Sequence, residues 1–459
     1  MRGRLRWSIL ALVVLTAAAG ALPASADHAT RPHTANMHAK GHSPDFGSFL
    51  LPDGQRDANS DLAFWGNLAF NGDYDGFRII DISDPDNPVE VSRTRCNGDQ
   101  GDIVVWEDIL VRSWNAPKAT PRPCDGTTVP AGFEGMHVFD ISDLSDPQLI
   151  GEVELSARPQ ADQPGCGSHT ATLAPDLANN RVLIYNATSG GNALLPPALQ
   201  ECDWVDIIQV PLANPGAASH LHREPLMGGH AAHDSGVILG DVNKLAVASG
   251  HMSNVFDVGA NDTPGGSLAD PVPLFTIEEP GVGGSDPAHP GNWHSAAFTW
   301  DGEVIILGWE PGGGAAPECE ATDPPTTKSA FFYDADTGAK LGQWTLPRPQ
   351  TAAENCTIHN YNVVPTRSGR YILVSGNYQA GTWVTEFTDP ASPVTLGWSD
   401  PPPLVPTQLG GVWSSYWYNN FIYESNITEG LNIFRFSGRE TGGAMRLPHL
   451  NPQTQEFSL

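Results

Sequence analysis

A short strand motif returns along the whole chain, and such a repeat limits the fold more than any composition does. Each copy is too small to bury its own faces and must bury them against its neighbours. One element is an apolar, β-branched run closed by an acidic turn. It reads GFRIIDISDP at 76–85 and GMHVFDISD at 135–143, with weaker copies beginning at Ala330, Thr382 and Gly430. The Asp/Ser/Pro endings are turn chemistry, because these side chains bond their own backbone or preset its dihedrals. A second element precedes the first: a polar start, an alternating strand, a turn and another strand. Its starts fall at Ser60, Gly101, His169, His233, His294, His359 and Trp413.

A unit of four strands and about 40 residues is the size of a propeller blade. The wider spacings leave room for Gly/Pro-rich stretches at 187–201, 259–292 and 308–328. A solenoid needs a more regular period, and a sandwich does not repeat one start seven times. The expected fold is therefore all-β, a seven-bladed β-propeller forming a single domain over 58–459. Either 443–457 or 34–51 is expected to close the ring by pairing with an end blade, since an open sheet edge is a liability.

Composition agrees. With 48 Gly, 40 Pro, 13 Trp and 40% apolar residues among 459, the chain is turn-rich and has ample core, which excludes global disorder and a helical bundle. A formal net charge of −28 argues against nucleic acid and anionic membranes as partners. Arg2, Arg4 and Arg6, an apolar run from Trp7 to Leu22, and Ala24-Ser25-Ala26 read as a signal peptide over 1–26 cleaved after Ala26. Residues 27–57 then form a polar leader, partly ordered at most, in which His28, His33, His38 and His42 are flexible. A secreted, extracellular protein without stable membrane insertion, acting as a monomer, is expected.

Six cysteines in an exported chain read as three disulfides. Neighbour pairing, 96 with 124, 166 with 202 and 319 with 356, staples one local loop each. The alternative makes Cys166-x-x-His169 and Cys356-x-x-His359 metal-ligand pairs.

The strands FRIIDISDPDNP at 77–88 and VFDISD at 138–143 resemble those of the LVIVD-repeat proteins. The resemblance covers most of 58–437 and is closest over the first two units. It implies a propeller of exported bacterial proteins, and it implies no particular activity.

If the seven starts are equivalent, their side chains lie at equivalent heights around one axis. Four successive units then present His169, His233, His294 and His359, which makes these the candidate metal ligands. The following positions include Asp61, Asp102, Asp234 and Asn360, the candidate ligand-binding residues. Imidazoles that converge suit one transition metal, Cu, Fe, Zn or Mn, with carboxylates as further ligands or as partners fixing the His tautomer. The competing reading makes each His a blade lock that bonds a neighbouring blade's carbonyl. Lesser features have plain explanations: Glu310-Pro-Gly-Gly-Gly314 as a solvated turn rather than a loop covering a channel mouth, Asp81 to Pro88 as a turn rather than a calcium loop, and Trp413, Tyr416, Trp417 and Tyr418 as packing rather than a sugar platform. His230 and His233 have the spacing of a helical zinc motif but stand at the start of a strand.

The expected function is an extracellular binding or interaction module for a small molecule, a protein or a polysaccharide, with a metal or small-ligand site among the histidines. A metal-dependent oxidoreductase using the same histidines is the alternative. A hydrolase using Asp102 or Asp234 comes third.

Overall fold

The computed structural model describes residues 31–47, 57–98, 100–114, 118–155, 166–188, 202–228, 232–259, 265–282, 291–404 and 409–459. The signal peptide expected over 1–26, His28 and His230 lie outside them. The fold is all-β, and among the described residues only short 3-10 turns occur besides strands. No helix among the described residues is long and apolar enough to cross a membrane.

One antiparallel meander of four strands recurs in sequence order. The first comprises Asn59–Trp65, Leu68–Asp73, Gly76–Asp81 and Val89–Arg95, each paired with the next. Later inner strands are Ile103–Trp106, Thr170–Asp176, Ala232–Ile238, Gly291–Phe298, Asn360–Val363 and Val412–Tyr418. Burial falls from the centre to the rim. Inner strands such as Ala232–Ile238 are buried at every position, whereas the outer strand Gln148–Glu154 is largely exposed or half-buried. Inner strands are thus buried on both faces, because each face meets a neighbouring sheet. Apolar clusters fill those junctions: Phe70, Phe77 and Ile79 of one sheet pack with Val105, Leu110 and Phe139 of the next.

The glycine heading the repeated strand has a physical reason. Gly76 and Gly135 both have φ +151°, and a Cβ at either would stand 1.9 Å from a carbonyl, Thr94 O or Val153 O. Only glycine fits both the dihedral and the space. The acidic endings are turns, as expected: the Asp81 carboxylate accepts the Ser83 N–H and that of Asp84 accepts the Asp86 N–H.

Both chain ends are used in closing the assembly. Strand Met37–Pro44 pairs antiparallel with Gly430–Phe436 and becomes the outer strand of the sheet that begins at Val412. The closing strand is therefore the one within 34–51, and the leader is not loose there. His42 bonds Asn432, His38 bonds Ser437 and His33 bonds the Arg31 carbonyl, which corrects the expectation that these histidines are flexible. The other end crosses the far ends of the inner strands. His449–Leu450 pairs with Phe64 and Trp65, and Thr454–Gln455 pairs with Val237 and Ile238. Between and beyond them Asn451 exchanges two hydrogen bonds with Val105, Thr454 donates to Leu173 O and Gln455 donates to Phe298 O. This segment lays a floor across strands from several sheets.

Three disulfides join Cys96 to Cys124, Cys166 to Cys202 and Cys319 to Cys356. Neighbour pairing holds, and the Cys-x-x-His metal alternative falls because the sulfurs of Cys166 and Cys356 are spent on Cys202 and Cys319. Trp413, Tyr416, Trp417 and Tyr418 are all buried, so they pack the core and offer no sugar platform.

Met37 is 1% exposed and packs against residues of two adjacent sheets, among them Val374 and Phe434. Met37→Ala should cost roughly 2–5 kcal/mol in chemical denaturation. Deleting 31–47 should lower the melting temperature further and promote aggregation through the bared strand Gly430–Phe436.

Candidate functional site

The local backbone explains why position one of the repeat faces the centre. In several inner strands the ladder slips at this place. Ala232 pairs with Ser249 but Asp234 with Ala248, so His233 is the extra residue; Trp293 and Ser295 leave out His294 in the same way, and Val412 and Ser414 leave out Trp413. An extra residue in a strand re-aims its side chain out of the regular pleat. The imidazoles consequently stack side by side around the centre. Ring centroids are 4.5 Å apart for His169 and His233, 4.2 Å for His233 and His294, and 4.2 Å for His294 and His359. The expected four-histidine cluster is thus brought together.

Glu310 completes it. This residue lies in strand Val304–Pro311, where its register partner is Asn292, two residues before His294. Its carboxylate stands 3.8 Å from His233 Nε2, 3.9 Å from His294 Nε2 and 3.7 Å from His359 Nε2. The 310–314 segment is therefore no solvated turn at its start, because Glu310 is buried beneath it. Gly314 passes so close that a Cβ there would stand 2.5 Å from the carboxylate and 2.3 Å from the Tyr378 hydroxyl. The Tyr378 hydroxyl donates to Glu310 at 2.7 Å, and its ring lies 4.3 Å from that of His359. Tyr378 itself has φ +50° and is held by reciprocal backbone hydrogen bonds with Val412. A non-glycine residue kept in that region is strained, and the surrounding contacts must hold it there.

Burial sets the charge state. It pushes His233 down to about 4 and His359 down to about 3, and it holds His169 and His294 well below the ordinary imidazole value. All four rings are neutral at pH 7, each with one ring nitrogen that carries a lone pair. His359 shows how both nitrogens are used: Nδ1–H donates to the Trp413 carbonyl of the next strand, which leaves Nε2 as the lone-pair side facing Glu310. His233 Nδ1 and His294 Nδ1 are buried without a hydrogen bond of ordinary geometry. His169 is approached by the Gln100 amide at 3.3 Å. Burial raises Glu310 to about 7, with the Tyr378 hydrogen bond working against the rise. Three imidazoles and a carboxylate are a donor set for Zn, Cu, Fe or Mn.

The candidate ligand-binding residues form a separate layer. Asp61, Asp102 and Asp234 are all buried, and burial raises each; Asp61 and Asp234 raise Asp102 further, and Asp61 raises Asp234. Asp61 accepts from the Tyr416 hydroxyl at 2.6 Å and from the Gln453 amide at 3.0 Å, and Asp102 accepts the Ala171 N–H at 2.6 Å. Asn360 is buried too, its Oδ1 lacks a hydrogen-bond partner, and its backbone pairs with Ser414. Among the described residues, no Lys or Arg forms an ion pair with these three carboxylates. Burial works against their charge, and hydrogen bonds take the place of water around them.

Tyr378 and Gln100 escaped the sequence reading, and Glu310 entered it only as the start of a glycine loop. The available signal was an acidic residue ending the apolar run VIILGW at 304–309, across the hairpin from His294.

The pH dependence has a definite sign. The folded-state values of about 4 and about 3 for His233 and His359 lie below their unfolded value of 6.5, so the unfolded chain takes up protons that the folded chain refuses. Stability from these groups is present above pH 6.5 and is lost as pH falls towards about 4 and then about 3. Glu310 acts oppositely, and its contribution fades as pH rises from 4.5 through about 7. Thermal melts of chelator-treated protein should show His359→Gln losing less stability than the wild type between pH 6.5 and pH 4.

Comparison with known proteins adds the repeat and little else. The family model described as LVIVD repeat matches residues 56–95 and 131–154. No curated protein matches. Solved structures with a similar course include the computationally designed Ika8 protein, at 13% identity and TM-score 0.43, covering 91% of this chain and 98% of that one. Another is the β-propeller domain of Myceliophteria thermophila Cps50 (Swd1), at 12% identity and TM-score 0.46, covering 86% and 99%. Both matched segments contain the strands that begin at Gly76 and Gly135, with their shared dihedral and shared steric need for glycine. This chain carries the LVIVD repeat over those two stretches.

Proposed function

We propose that the protein is an exported, seven-bladed propeller that acts as a binding module and holds one transition metal at its centre, through His233, His294, His359 and Glu310. The blade count follows from assigning one blade to each inner strand, with Met37–Pro44 completing the last, and the domain then runs from that strand to the C-terminal floor. Export is supported by the three disulfides together with the character of residues 1–26.

One observation carries the metal reading: three Nε2 atoms from three successive inner strands converge on a single carboxylate at 3.7–3.9 Å. Two ligands each about 2.1 Å from a common ion, at tetrahedral or wider angles, stand roughly 3.4–4 Å apart. A blade lock needs only Nδ1 bonded to the next strand, and it gives no reason for Nε2 atoms to face a buried acid. His169 stands beside the trio as a fourth donor or as a contact for what the metal binds. The ligand class is a small molecule coordinating the metal, or an extracellular protein or polysaccharide offering such a group.

A metal-dependent oxidoreductase is the second reading. Tyr378 favours it, since its phenol bonds a ligand carboxylate and touches a ligand imidazole, where a redox metal can use it. Asp102 and Asp234, on which a hydrolase would depend, are turned to backbone N–H groups in the layer beyond.

Metal analysis of natively exported, untagged protein should find about one Cu, Fe, Zn or Mn per chain. A His233→Ala/His294→Ala variant should lose it while keeping its β-sheet circular dichroism. Metal-free wild type would overturn the reading and leave the histidines as blade locks. Tyr378→Phe should retain the metal but bind it about 10–100-fold more weakly, the usual cost of removing a partner that orients a ligand. Cu or Fe in the native protein would favour the oxidoreductase, and Zn the binding module.

A further inference from the structure

At the rim, far from the central histidines in the fold, His222 and Glu224 sit two apart on the outer strand Ser219–Pro225. Residues at that spacing project from the same face of a strand. His222 Nε2 is 3.1 Å from the Glu224 carboxylate and 3.7 Å from that of Asp270. Asp270 belongs to the neighbouring sheet. It precedes strand Val272–Ile277, and its backbone is pinned by reciprocal hydrogen bonds with Ser267. The Tyr185 hydroxyl, from the sheet that carries His222, donates to Leu268 within the same turn. The three ligand atoms therefore come from two adjacent sheets whose junction is already fixed, and they lie within 4.8 Å of one another.

The electrostatics call for a cation. Two carboxylates face each other across one imidazole, and the guanidinium of the residue between His222 and Glu224 is engaged elsewhere: Arg223 bonds Asp206 at 2.7 Å and lies over the Trp204 ring. Glu224 is nearly buried, so water screens its charge poorly, while Asp270 is open and leaves room for further ligands from solvent.

We propose that His222, Glu224 and Asp270 form a second, solvent-accessible site for a divalent transition metal of the Zn2+ type. One nitrogen and two carboxylate oxygens serve as protein ligands and water fills the open position. A three-ligand N/O set with an open place suits Zn2+ and its spectroscopic substitute Co2+, and disfavours soft monovalent metals. Bound there, the ion ties the outer strand Ser219–Pro225 to the turn before Val272 and staples two sheets at their rim. The inference does not depend on the central site, since no residue is shared.

The test is isothermal titration of Zn2+ into the full chain, with Co2+ absorption as a second readout. It compares wild type, His222→Ala, Asp270→Asn, the central-site variant His294→Ala and the double variant His222→Ala/His294→Ala. Wild type and His294→Ala should both show saturable rim binding, a rise in melting temperature with Zn2+ and Co2+ ligand-field bands. His222→Ala should lose the rim component of all three, the double variant should lose all three outright, and Asp270→Asn should bind at the rim at least tenfold more weakly. Both rim variants replace partly or largely exposed side chains, so unfolding does not confuse the result. Zn2+ binding unchanged in His222→Ala, or lost only in His294→Ala, would overturn the proposal. So would wild type that shows no saturable binding.

Discussion

Neighbouring sheets are held together at the centre by side chains that bond the next inner strand's backbone. Thr170 donates to His233 O, Ser295 to His359 O, Thr172 to Ser235 O, each at 2.7 Å, and His359 to Trp413 O. Inner strands of adjacent sheets meet without a continuous ladder, so their buried carbonyls need other donors. Small hydroxyls and imidazoles at the starts of the strands supply them. This need puts polar side chains in the middle of an otherwise apolar molecule, and the rest of the centre is built around them.

The same bond separates two explanations of the histidines that compete when only residue types are known. An imidazole has two nitrogens, and here they have two neighbours. His359 spends Nδ1 on the sheet junction, and that donation fixes the tautomer whose Nε2 lone pair faces Glu310. Locking and ligation are therefore compatible roles of one ring. Glu310 is kept from water by the glycine segment passing over it, and Tyr378 orients it from the side. Beyond lies the layer of Asp61, Asp102 and Asp234, then the crossing segment, from which Gln453 reaches Asp61. That segment covers the far ends of the inner strands, so the polar interior is backed by protein on that side.

The repeat was legible because it is a pattern of local chemistry. A β-branched run, a glycine that no other residue can replace and an Asp-Ser-Asp turn each leave a mark on the residues themselves. Equivalence of the repeats then places His169, His233, His294 and His359 together, and local loop stapling gives the three disulfides. Two things resisted. Strand Met37–Pro44 lacks the apolar run of the repeated strands, because as an outermost strand it buries few side chains, Met37 among them. Glu310 read as the lip of a glycine loop, because a carboxylate at the end of a strand is usually solvated.

The linear order of residues by itself determined an all-β chain of repeated units, the turns that end its strands, the disulfide partners and the convergence of the histidines. These follow from short-range chemistry and from the equivalence of repeats. Only the tertiary structure decided which chain segment completes the last sheet, that the final residues run across the inner strands, and that Glu310 and Tyr378 join the histidines. Those outcomes depend on desolvation and on contacts between residues far apart in sequence, such as Met37 with Phe434 or Tyr378 with Glu310. No local pattern carries such information.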